Sequence, residues 1–290
     1  MSKHFIKVSV LLCFLIMSCK NTHTIDIQGH RGCRGLLPEN TIEAFTKAID
    51  LGVHTLEMDL AITKDHEVVV SHEPFMNALI CLKPSGEPIL EEEEQSYNLY
   101  HMSYQKIKTF DCGSKFHPNF PNQEKLIIHK PLLREVIRLS ETKNKAIRYN
   151  LELKAKPEYD TIYTPEPKEF VSIVIALLKS HHVLDKTTLQ SFDLRILEEI
   201  KKQDNSIDVA LLVDENETIK NKLSQLSYQP EILSPYFKLL SQEIIQGYQE
   251  KGFKIIPWTV NTIDEMQVLI DYKIDGIITD YPNKLVKLIQ

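Results

Sequence analysis

Three acidic side chains lie in two short apolar runs of the sequence. Glu57 and Asp59 belong to the run LEMDL (56–60), and Glu152 belongs to NLELK (150–154). Residues i and i+2 of a β-strand point to the same face, so Glu57 and Asp59 should point together. Two carboxylates about 4 Å apart repel by roughly 4 kcal/mol at an effective dielectric near 20. If the two strands are neighbours, a hard divalent cation, Mg²⁺ or Ca²⁺, would allow all three carboxylates to stay ionised.

A lysine two positions after Glu152 leaves a second explanation open. Lys154 could neutralise part of the acidic charge, and the cluster would then be a structural salt-bridge network. We favour the metal site, because two histidines and an arginine follow strands at what would be the same rim. A cation together with Arg31, which can contact two oxygens at once, would bind a phosphate ester.

Each of these two histidines follows a strand-like run. His30 and Arg31 lie in GHRGCRG (29–35), which holds three of the nine glycines of the chain. Glycine at a strand end permits positive φ and lets a ligand approach the backbone closely. His72 ends the run EVVVSH (67–72). We therefore expect a binding site that both strand ends contribute to.

The elements that must position these residues alternate between strand-like and amphipathic helical patterns. Strict alternation indicates parallel strands with right-handed crossovers. Eight strands in about 265 residues predict a closed (β/α)8 TIM barrel. The alternative is an open doubly wound sheet, which would be expected to carry a Gly-x-Gly-x-x-Gly turn that this sequence lacks. The predicted strands are Ile25–Gly29, Thr55–Ala61, Ile147–Leu153, Thr188–Phe192, Asp208–Val213, Ile232–Tyr236, Ile255–Val260 and Gly276–Thr279. The predicted helices are Thr41–Leu51, Leu132–Thr142, Lys168–His181, Leu194–Gln203, Ile219–Leu226, Gln242–Lys251 and Asp264–Tyr272.

One segment interrupts this alternation. Residues 75–130 contain several prolines and tyrosines and an acidic run at 91–94, between the second predicted strand and the helix before the third. Connections in compact domains have a median length of about 4–6 residues. We therefore expect an inserted subdomain after the second strand, on the catalytic face of the barrel.

The overall composition excludes several classes of protein. The chain has 290 residues, of which 42% are hydrophobic and 26% charged, as in an ordinary globular protein. Its formal net charge is −6, and no block of clustered basic residues is present. Binding to a phosphate backbone needs such clusters, so we expect no nucleic-acid partner. The oligomeric state is left open.

The N-terminus has the pattern of a lipoprotein-type signal peptide. Lys3 and Lys7 precede the apolar run 8–17. That run is short for a transmembrane helix, which needs about 20 apolar residues, and suits a secretory signal. The sequence IMSC resembles a bacterial lipobox, so we expect removal of residues 1–18 and a lipid anchor at Cys19. The protein would then be held at the bacterial cell envelope, facing the periplasm or the surface. A plain signal peptide or a buried first strand is the alternative.

Three cysteines follow the anchor in the predicted mature chain of residues 19–290. Cys33, Cys81 and Cys112 show no close Cys-x-x-Cys spacing, so neither a zinc site nor a disulfide framework is indicated. Cys81 and Cys112 could pair in an oxidising envelope. We expect free thiols instead.

These motifs together resemble the glycerophosphodiester phosphodiesterase family. The likeness runs in order from about Ile25 to the C-terminus, and the combination is more specific than any single motif. Its elements are HRG at 30–32, PENT at 38–41, Glu57-x-Asp59, His72, Glu152-x-Lys154, QSFD at 190–193, WTVN at 258–261 and DGIITDYP at 275–282.

The resemblance implies a TIM barrel that hydrolyses a glycerophosphodiester to glycerol phosphate and an alcohol. It implies that Glu57, Asp59 and Glu152 hold the divalent cation. It also implies that His30 and His72 share general acid and base catalysis, without saying which is the acid. The partner of the protein is then a small-molecule glycerophosphodiester.

The resemblance also implies roles for further residues. Arg31 and Lys154 would stabilise charge on the phosphoryl oxygens. Trp258 is either an apolar wall for glycerol or a core aromatic, and Asn261 is the expected polar contact. We expect Asp280 to cap a helix rather than to take part in the chemistry.

The sequence also departs from the family pattern. Members commonly have His-Asp followed by a loop bearing Arg and Thr, whereas this chain reads HEPFMN from His72. Substrate contacts from this loop therefore stay open. Related phosphodiesterases that act on intact lipids or sugar phosphodiesters are an alternative, as is a non-catalytic envelope protein that binds glycerophosphodiesters. We expect the other histidines, His117 included, at the surface or in loops.

Overall fold

The computed structural model describes residues 24–289 of the chain. The proposed signal peptide and its anchor Cys19 lie outside these residues. Within residues 24–289, no helix is long and apolar enough to cross a membrane.

Eight parallel strands form a nearly closed barrel, which confirms the predicted fold class. A further short strand pairs antiparallel with the end of the second strand and leads towards His72. The strands of the described residues are β1 (Asp26–Gly29), β2 (Thr55–Ile62), β3 (Val68–Val70), β4 (Arg148–Leu153), β5 (Thr187–Ser191), β6 (Asp208–Val213), β7 (Ile232–Pro235), β8 (Lys254–Ile255) and β9 (Gly276–Thr279). Neighbouring parallel strands follow the order β8-β7-β6-β5-β4-β2-β1-β9.

The barrel is nearly closed by the chain that follows β8. The prediction of a seventh parallel strand reaching Val260 is wrong, because β8 ends at Ile255. Pro257 has no N–H to give to a strand ladder, which limits regular pairing there. Hydrogen bonds still join this chain to β9: the Ile278 N–H donates to the Pro257 carbonyl at 3.0 Å, and the Val260 N–H donates to the Ile278 carbonyl at 3.0 Å.

Helices follow the strands and cover the outside of the barrel. The α-helices of the described residues are α1 (Ile42–Leu51), α2 (Tyr104–Ile107), α3 (Leu133–Lys143), α4 (Pro167–Ser180), α5 (Leu194–Gln203), α6 (Ile219–Leu223), α7 (Gln242–Gln249), α8 (Ile263–Asp271) and α9 (Pro282–Ile289). The 3₁₀ helices are Glu91–Ser96, Leu99–His101, Pro157–Tyr159, Leu184–Lys186 and Phe237–Leu239. Helix α1 begins where the Thr41 side chain accepts a hydrogen bond from the Ala44 N–H, and it ends at Gly52, whose φ is +90°.

Strand β2 shows how the two sides of the barrel wall differ. Leu56, Met58 and Leu60 are fully buried in the main apolar core. Burying such a side chain contributes about 1.5–3 kcal/mol. Glu57 and Asp59 alternate with them and therefore point to the opposite face, into the barrel. One strand thus supplies both stability and the acidic site.

The segment between β3 and α3 has its own small core. Buried side chains of this segment, including Met76, Leu99 and Phe110, pack with one another and with the end of β2. Cys81 and Cys112 form a disulfide, so the prediction of free thiols is wrong for this pair. Cys33 is free, as predicted, and it is buried. The status of 75–130 as an insertion stays a prediction.

Candidate active site

The three predicted acidic residues meet at the carboxyl end of the barrel strands. β2 and β4 pair in a register that places Asp59 beside Glu152. Glu57 lies two residues before Asp59, on the same face of β2. One ligand oxygen from each side chain lies within 4.8 Å of the others, and all three residues are buried. Asp59 Oδ1 is fully buried without a hydrogen-bond partner. An all-carboxylate cluster with an unpartnered buried oxygen fits a hard divalent cation.

The raised pKa values of two of the three carboxylates also indicate that the cluster lacks positive charge. Burial and the charge of Asp59 raise the pKa of Glu57 well above its usual value. Burial likewise raises the pKa of Glu152, although Lys154 opposes the shift. Burial would also raise the pKa of Asp59, but Arg31, together with further groups such as Lys154 and the hydrogen bond from Asn40, outweighs it and lowers that pKa. A divalent cation would relieve the repulsion that these shifts express.

Lys154 lies among the carboxylates and provides part of the compensation. Its Nζ is 2.8 Å from Glu152 Oε1 and 3.9 Å from Asp59 Oδ1. Burial alone would lower the pKa of Lys154, yet the two carboxylates raise it. The salt-bridge network that the sequence left open therefore exists. It does not reach Glu57, whose pKa stays high, so the network and a cation site are compatible.

Arg31 is fixed by carboxylates on two sides. Its Nη1 donates to Glu39 Oε1 at 2.7 Å, and its Nε lies 3.2 Å from Asp59 Oδ2. The Arg31 backbone N–H donates to Glu57 Oε2 at 2.9 Å. The turn depends on Gly32, which has φ +87° and where a Cβ would come within 2.7 Å of the Ala44 backbone. The guanidinium is thus held beside the acidic cluster.

His30 is held by a carboxylate from the last strand end. Its Nδ1 lies 2.6 Å from Asp280 Oδ1, and its Nε2 lies 3.9 Å from Glu57 Oε2. Burial lowers the pKa of His30 to about 4, against the opposing effect of Asp280. The imidazole is therefore neutral near pH 7. Donation of Nδ1–H to Asp280 would leave the Nε2 lone pair directed towards the acidic cluster.

Asp280 does not act as the predicted helix cap. Its carboxylate accepts hydrogen bonds from Arg34 Nε at 2.8 Å and from Asn261 Nδ2 at 2.7 Å, in addition to the contact with His30. The physical reason is the pairing of β1 with β9, which aligns Gly29 with Thr279 and so brings the following residues together. The Asn261 side-chain amide thus donates a hydrogen bond to Asp280. The expected contact of Asn261 with substrate stays a prediction.

His72 follows β3 and has a matching carboxylate partner. Its Nδ1 lies 2.6 Å from Glu73 Oε1, and its Nε2 lies 3.0 Å from Lys154 Nζ. Burial would raise the pKa of Glu73, but the hydrogen bond with His72 and the charges of Arg31 and Lys130 together outweigh it and lower the pKa to about 2. Each catalytic candidate therefore has an ionised carboxylate at Nδ1, while Nε2 of His30 faces Glu57 and Nε2 of His72 faces Lys154.

A cavity of about 160 Å³ lies in front of these groups. Its polar walls are His30, Arg31, Arg34, Glu57, His72, Glu152, Lys154 and Gln190, and its apolar walls are Phe192, Leu212, Trp258 and Ile278. Trp258 Nε1 donates to the Ser234 carbonyl at 2.9 Å, and its ring meets Phe192 edge-on at 5.5 Å. Trp258 therefore packs in the barrel and lines the cavity at the same time.

Several residues of the site were not assigned a role from the sequence. Gln190 Nε2 donates to Glu57 Oε1 at 2.9 Å, and Asn40 Nδ2 donates to Asp59 Oδ2 at 2.9 Å. Glu39, which binds Arg31, and Asn40 belong to the PENT motif, so the motif itself was the available signal. Gln190 could have been predicted, because alternate residues of β5 point into the barrel.

Part of the 75–130 segment supports the site from outside. The Gln123 side chain donates to the Arg34 carbonyl at 2.6 Å, and the Phe120 ring lies 4.9 Å from the Arg34 guanidinium carbon. His117 packs edge-on against Phe120 at 4.8 Å and is buried within a loop, in agreement with the predicted surface or loop position. Arg34 in turn binds Asp280, the partner of His30.

Comparisons with known proteins agree with this geometry. A glycerophosphodiester phosphodiesterase of Caldanaerobacter subterraneus subsp. tengcongensis is 28% identical over 261 residues, which cover 90% of this chain and 96% of that protein. A lysophospholipase D of Homo sapiens is 25% identical, with 88% of this chain and 83% of that protein covered. A crystal structure from Silicibacter pomeroyi, of a protein assigned as a glycerophosphoryl diester phosphodiesterase, has 26% identity and a TM-score of 0.83, over 92% of this chain and 94% of that chain.

The fold recurs at lower identity. An Oleispira antarctica phosphodiesterase, solved with its product sn-glycerol-3-phosphate, has a TM-score of 0.72 at 21% identity, over 91% of this chain and 96% of that chain. The family profile described as the glycerophosphoryl diester phosphodiesterase family matches residues 30–284 of this sequence. That match spans the barrel from the end of β1 onward and every residue of the site described above. The chain therefore belongs to the glycerophosphoryl diester phosphodiesterase family.

Proposed function

We propose that the protein hydrolyses glycerophosphodiesters to glycerol 3-phosphate and an alcohol in a reaction that depends on a divalent cation. One observation carries this proposal: three buried carboxylates lie within 4.8 Å of one another, between two histidines that each have a carboxylate partner. Family membership and relatives named glycerophosphodiester phosphodiesterase support the substrate class.

The cation would be held by Glu57, Asp59 and Glu152. All three ligands are carboxylate oxygens, which favour Mg²⁺ or Ca²⁺ over softer metals. When bound, such an ion supplies positive charge to the phosphoryl oxygens. Arg31 and Lys154 lie beside the same carboxylates and would bind the remaining phosphoryl oxygens through N–H donors.

The two histidines would move the protons. His30 is neutral near pH 7, so its Nε2 suits the general base that takes a proton from the attacking hydroxyl or water. His72 would then give a proton to the departing alcohol oxygen as its bond to phosphorus breaks. Glu73 at Nδ1 would hold the imidazole in place for this step. Trp258 and Phe192 would form the apolar wall beside glycerol.

The direct test is a product assay on the full chain. With Ca²⁺ or Mg²⁺, the protein should release glycerol 3-phosphate from glycerophosphocholine, and a chelator should stop the release. His30→Ala and His72→Ala should each lower turnover by about 10²–10⁴-fold with little change in thermal unfolding. His66→Ala is the matched control, because His66 is exposed and pairs with Glu169 away from the cavity. Turnover that survives exhaustive chelation, or an active His72→Ala protein, would contradict the proposal.

A lipid substrate is the second candidate. The similarity to a human lysophospholipase D is the observation that favours it. Lysophosphatidylcholine and glycerophosphocholine would be compared in the same assay. Release of choline from the lipid but not from the deacylated compound would favour the lipid reaction. Binding of both compounds without turnover under any cation would instead indicate a non-catalytic binding protein.

We also propose that the protein is anchored at the bacterial cell envelope through lipid on Cys19. The N-terminal sequence supports the anchor, and the Cys81–Cys112 disulfide suits an oxidising compartment. Labelling of expressing bacteria with radioactive palmitate should mark the wild-type chain and leave Cys19→Ser unlabelled. Equal labelling of both proteins would contradict this assignment.

A further inference from the structure

A second cavity adjoins the first at the acidic cluster. It has a volume of about 280 Å³, larger than the 160 Å³ of the first. The residues that line both cavities are His72, Glu152, Lys154 and Phe192. The residues that line the second cavity alone are Glu73, Pro74, Ala155, Lys156 and Tyr159. The pocket is thus bilobed, with a carboxylate of the proposed cation site at the junction.

A bilobed pocket suits the shape of a phosphodiester. The phosphorus carries two organic substituents, and a phosphate held at the junction would direct one into each lobe. The apolar side of the first lobe, formed by Trp258 and Phe192, is the wall already proposed for glycerol. His72 lines both lobes, so a departing alcohol oxygen in the second lobe would be within reach of its proton. The second lobe is therefore free for the alcohol.

The charges of the second lobe indicate which alcohols it accepts. Lys156 Nζ lies 4.1 Å from the centroid of the Tyr159 ring. The face of an aromatic ring is where a quaternary ammonium group binds, and here the lysine occupies it. The two carboxylates of the lobe are already engaged, Glu73 with His72 and Glu152 with Lys154. Neither is left unpaired for a cationic headgroup.

We propose that the second cavity is the subsite for the alcohol and that Lys156 biases it towards uncharged polyol alcohols and against quaternary ammonium alcohols. This inference rests on the proposed hydrolysis of glycerophosphodiesters. It adds the class of headgroup and the residue that selects it. Tyr159 is the partner through which Lys156 acts, and its ring is supported at 5.0 Å by Tyr163.

The test compares two substrates that differ in headgroup charge. The ratio of kcat/KM for glycerophosphoglycerol to that for glycerophosphocholine should exceed one in the wild-type protein. In Lys156→Gln the ratio should fall by about three- to tenfold, mainly through a lower KM for glycerophosphocholine. Lys156→Glu should shift the ratio further in the same direction, because it replaces repulsion of the headgroup by attraction.

A matched control exists at the other end of the barrel. Lys251 lies 5.1 Å from the Tyr248 ring on the exposed chain just before β8. Lys251→Gln removes a similar lysine–tyrosine contact and the same charge, and it should leave the substrate ratio unchanged. In the double variant Lys156→Gln/Tyr159→Leu, the lower KM for glycerophosphocholine should be lost, because no aromatic ring face is left to bind the quaternary ammonium group.

The outcomes separate this inference from the proposed function. Hydrolysis of both substrates with an unchanged ratio in both Lys156 variants would overturn the headgroup assignment and leave the phosphodiesterase activity in place. An equal shift in Lys251→Gln would also overturn it, because the effect would then be one of net charge. Absence of hydrolysis of either substrate with Ca²⁺ and with Mg²⁺ would overturn the proposed function and this inference with it.

Discussion

The interior of the barrel is divided into a polar half and an apolar half. Strands β1, β2, β4 and β5 direct polar side chains inward. These side chains include Gln28, Glu57, Asp59, Asn150, Glu152 and Gln190. Strands β6 to β9 and the chain after β8 direct mainly apolar side chains inward. These are Ala210, Ile232, Ile256 and Ile278, with Trp258 packed against them.

The two halves are stabilised in different ways. In the polar half, Asn150 Nδ2 donates to Gln28 Oε1 at 2.8 Å and to Gln190 Oε1 at 3.1 Å. Such bonds offset the cost of burying polar groups, yet an apolar core of the same volume is often as stable or more stable. The polar half is therefore best explained by ligand binding. The apolar half provides packing energy and one wall of the cavity.

Two substitutions within the acidic cluster should separate cation binding from stability. Glu57→Gln and Asp59→Asn should each lower activity by at least about 10³-fold, because each removes a proposed cation ligand. Without metal, Glu57→Gln should lower the free energy of unfolding by no more than about 1 kcal/mol, because the raised pKa of Glu57 shows that its ionised form is disfavoured there and the amide keeps one acceptor oxygen. Asp59→Asn should lower it by about 3 kcal/mol, because Arg31 loses an ionised partner.

Chemical denaturation of chelator-treated proteins measures both stabilities, and the product assay measures activity. Equal losses of stability in the two variants would contradict the distinction between these two carboxylates.

Truncation in the apolar half should have the converse effect. Ile256 is buried among Ala210, Ile232 and Ile278, and it does not line the cavity in front of the acidic cluster. Ile256→Ala should lower the free energy of unfolding by about 2–4 kcal/mol because it leaves a cavity. The kcat at 25 °C should change less than about threefold as long as the protein stays folded. A large loss of kcat with unchanged stability would show that this half takes part in the chemistry.

The stability of the metal-free protein should depend on pH through His30. The pKa of His30 is lowered to about 4 in the fold, whereas an unfolded histidine titrates near 6.5. The unfolded chain therefore binds more protons between these values, so stability falls as the pH drops from 6.5 to 4, by up to about 3 kcal/mol. The fall in stability between pH 6.5 and 4 should be smaller in His30→Gln. The exposed control His66→Gln should keep the wild-type pH dependence. Equal slopes in wild type and His30→Gln would refute the assignment.

The smallest of these effects concerns the orientation of His30. Asp280→Asn keeps the shape of the side chain but weakens the hydrogen bond that fixes Nδ1. We expect kcat to fall by about 10²-fold with KM changed less than threefold, because the cation and phosphate ligands stay in place. An increase in KM with unchanged kcat would instead place Asp280 in substrate binding.

The sequence predicted the features that depend on local periodicity. Alternation along LEMDL and NLELK placed Glu57, Asp59 and Glu152 on inward faces, and the strand–helix alternation predicted the barrel that brings them together. The predicted helix bounds agree with the structure to within a few residues, because apolar periodicity and caps such as Thr41 are local.

The features that were missed depend on contacts between distant parts of the chain. Asp280 meets His30 across 250 positions, and the pattern around Asp280 is equally that of a helix cap. Cys81 and Cys112 are 31 residues apart with no spacing motif that would indicate pairing. The burial of His117 depends on Phe120, which in turn packs against the distant Arg34. Local sequence holds no information on such partners without the fold.

The central claim is that Glu57, Asp59 and Glu152 together bind one divalent cation that the reaction needs. Calorimetric titration of chelator-treated protein with Ca²⁺ and with Mg²⁺, in wild type and Glu152→Gln, tests it most directly. We predict one site per wild-type chain for at least one of the two ions. We also predict at least a tenfold weaker affinity in Glu152→Gln, with loss of activity in proportion to occupancy. Equal binding in the two proteins, or full activity in wild type without bound ion, would contradict the claim.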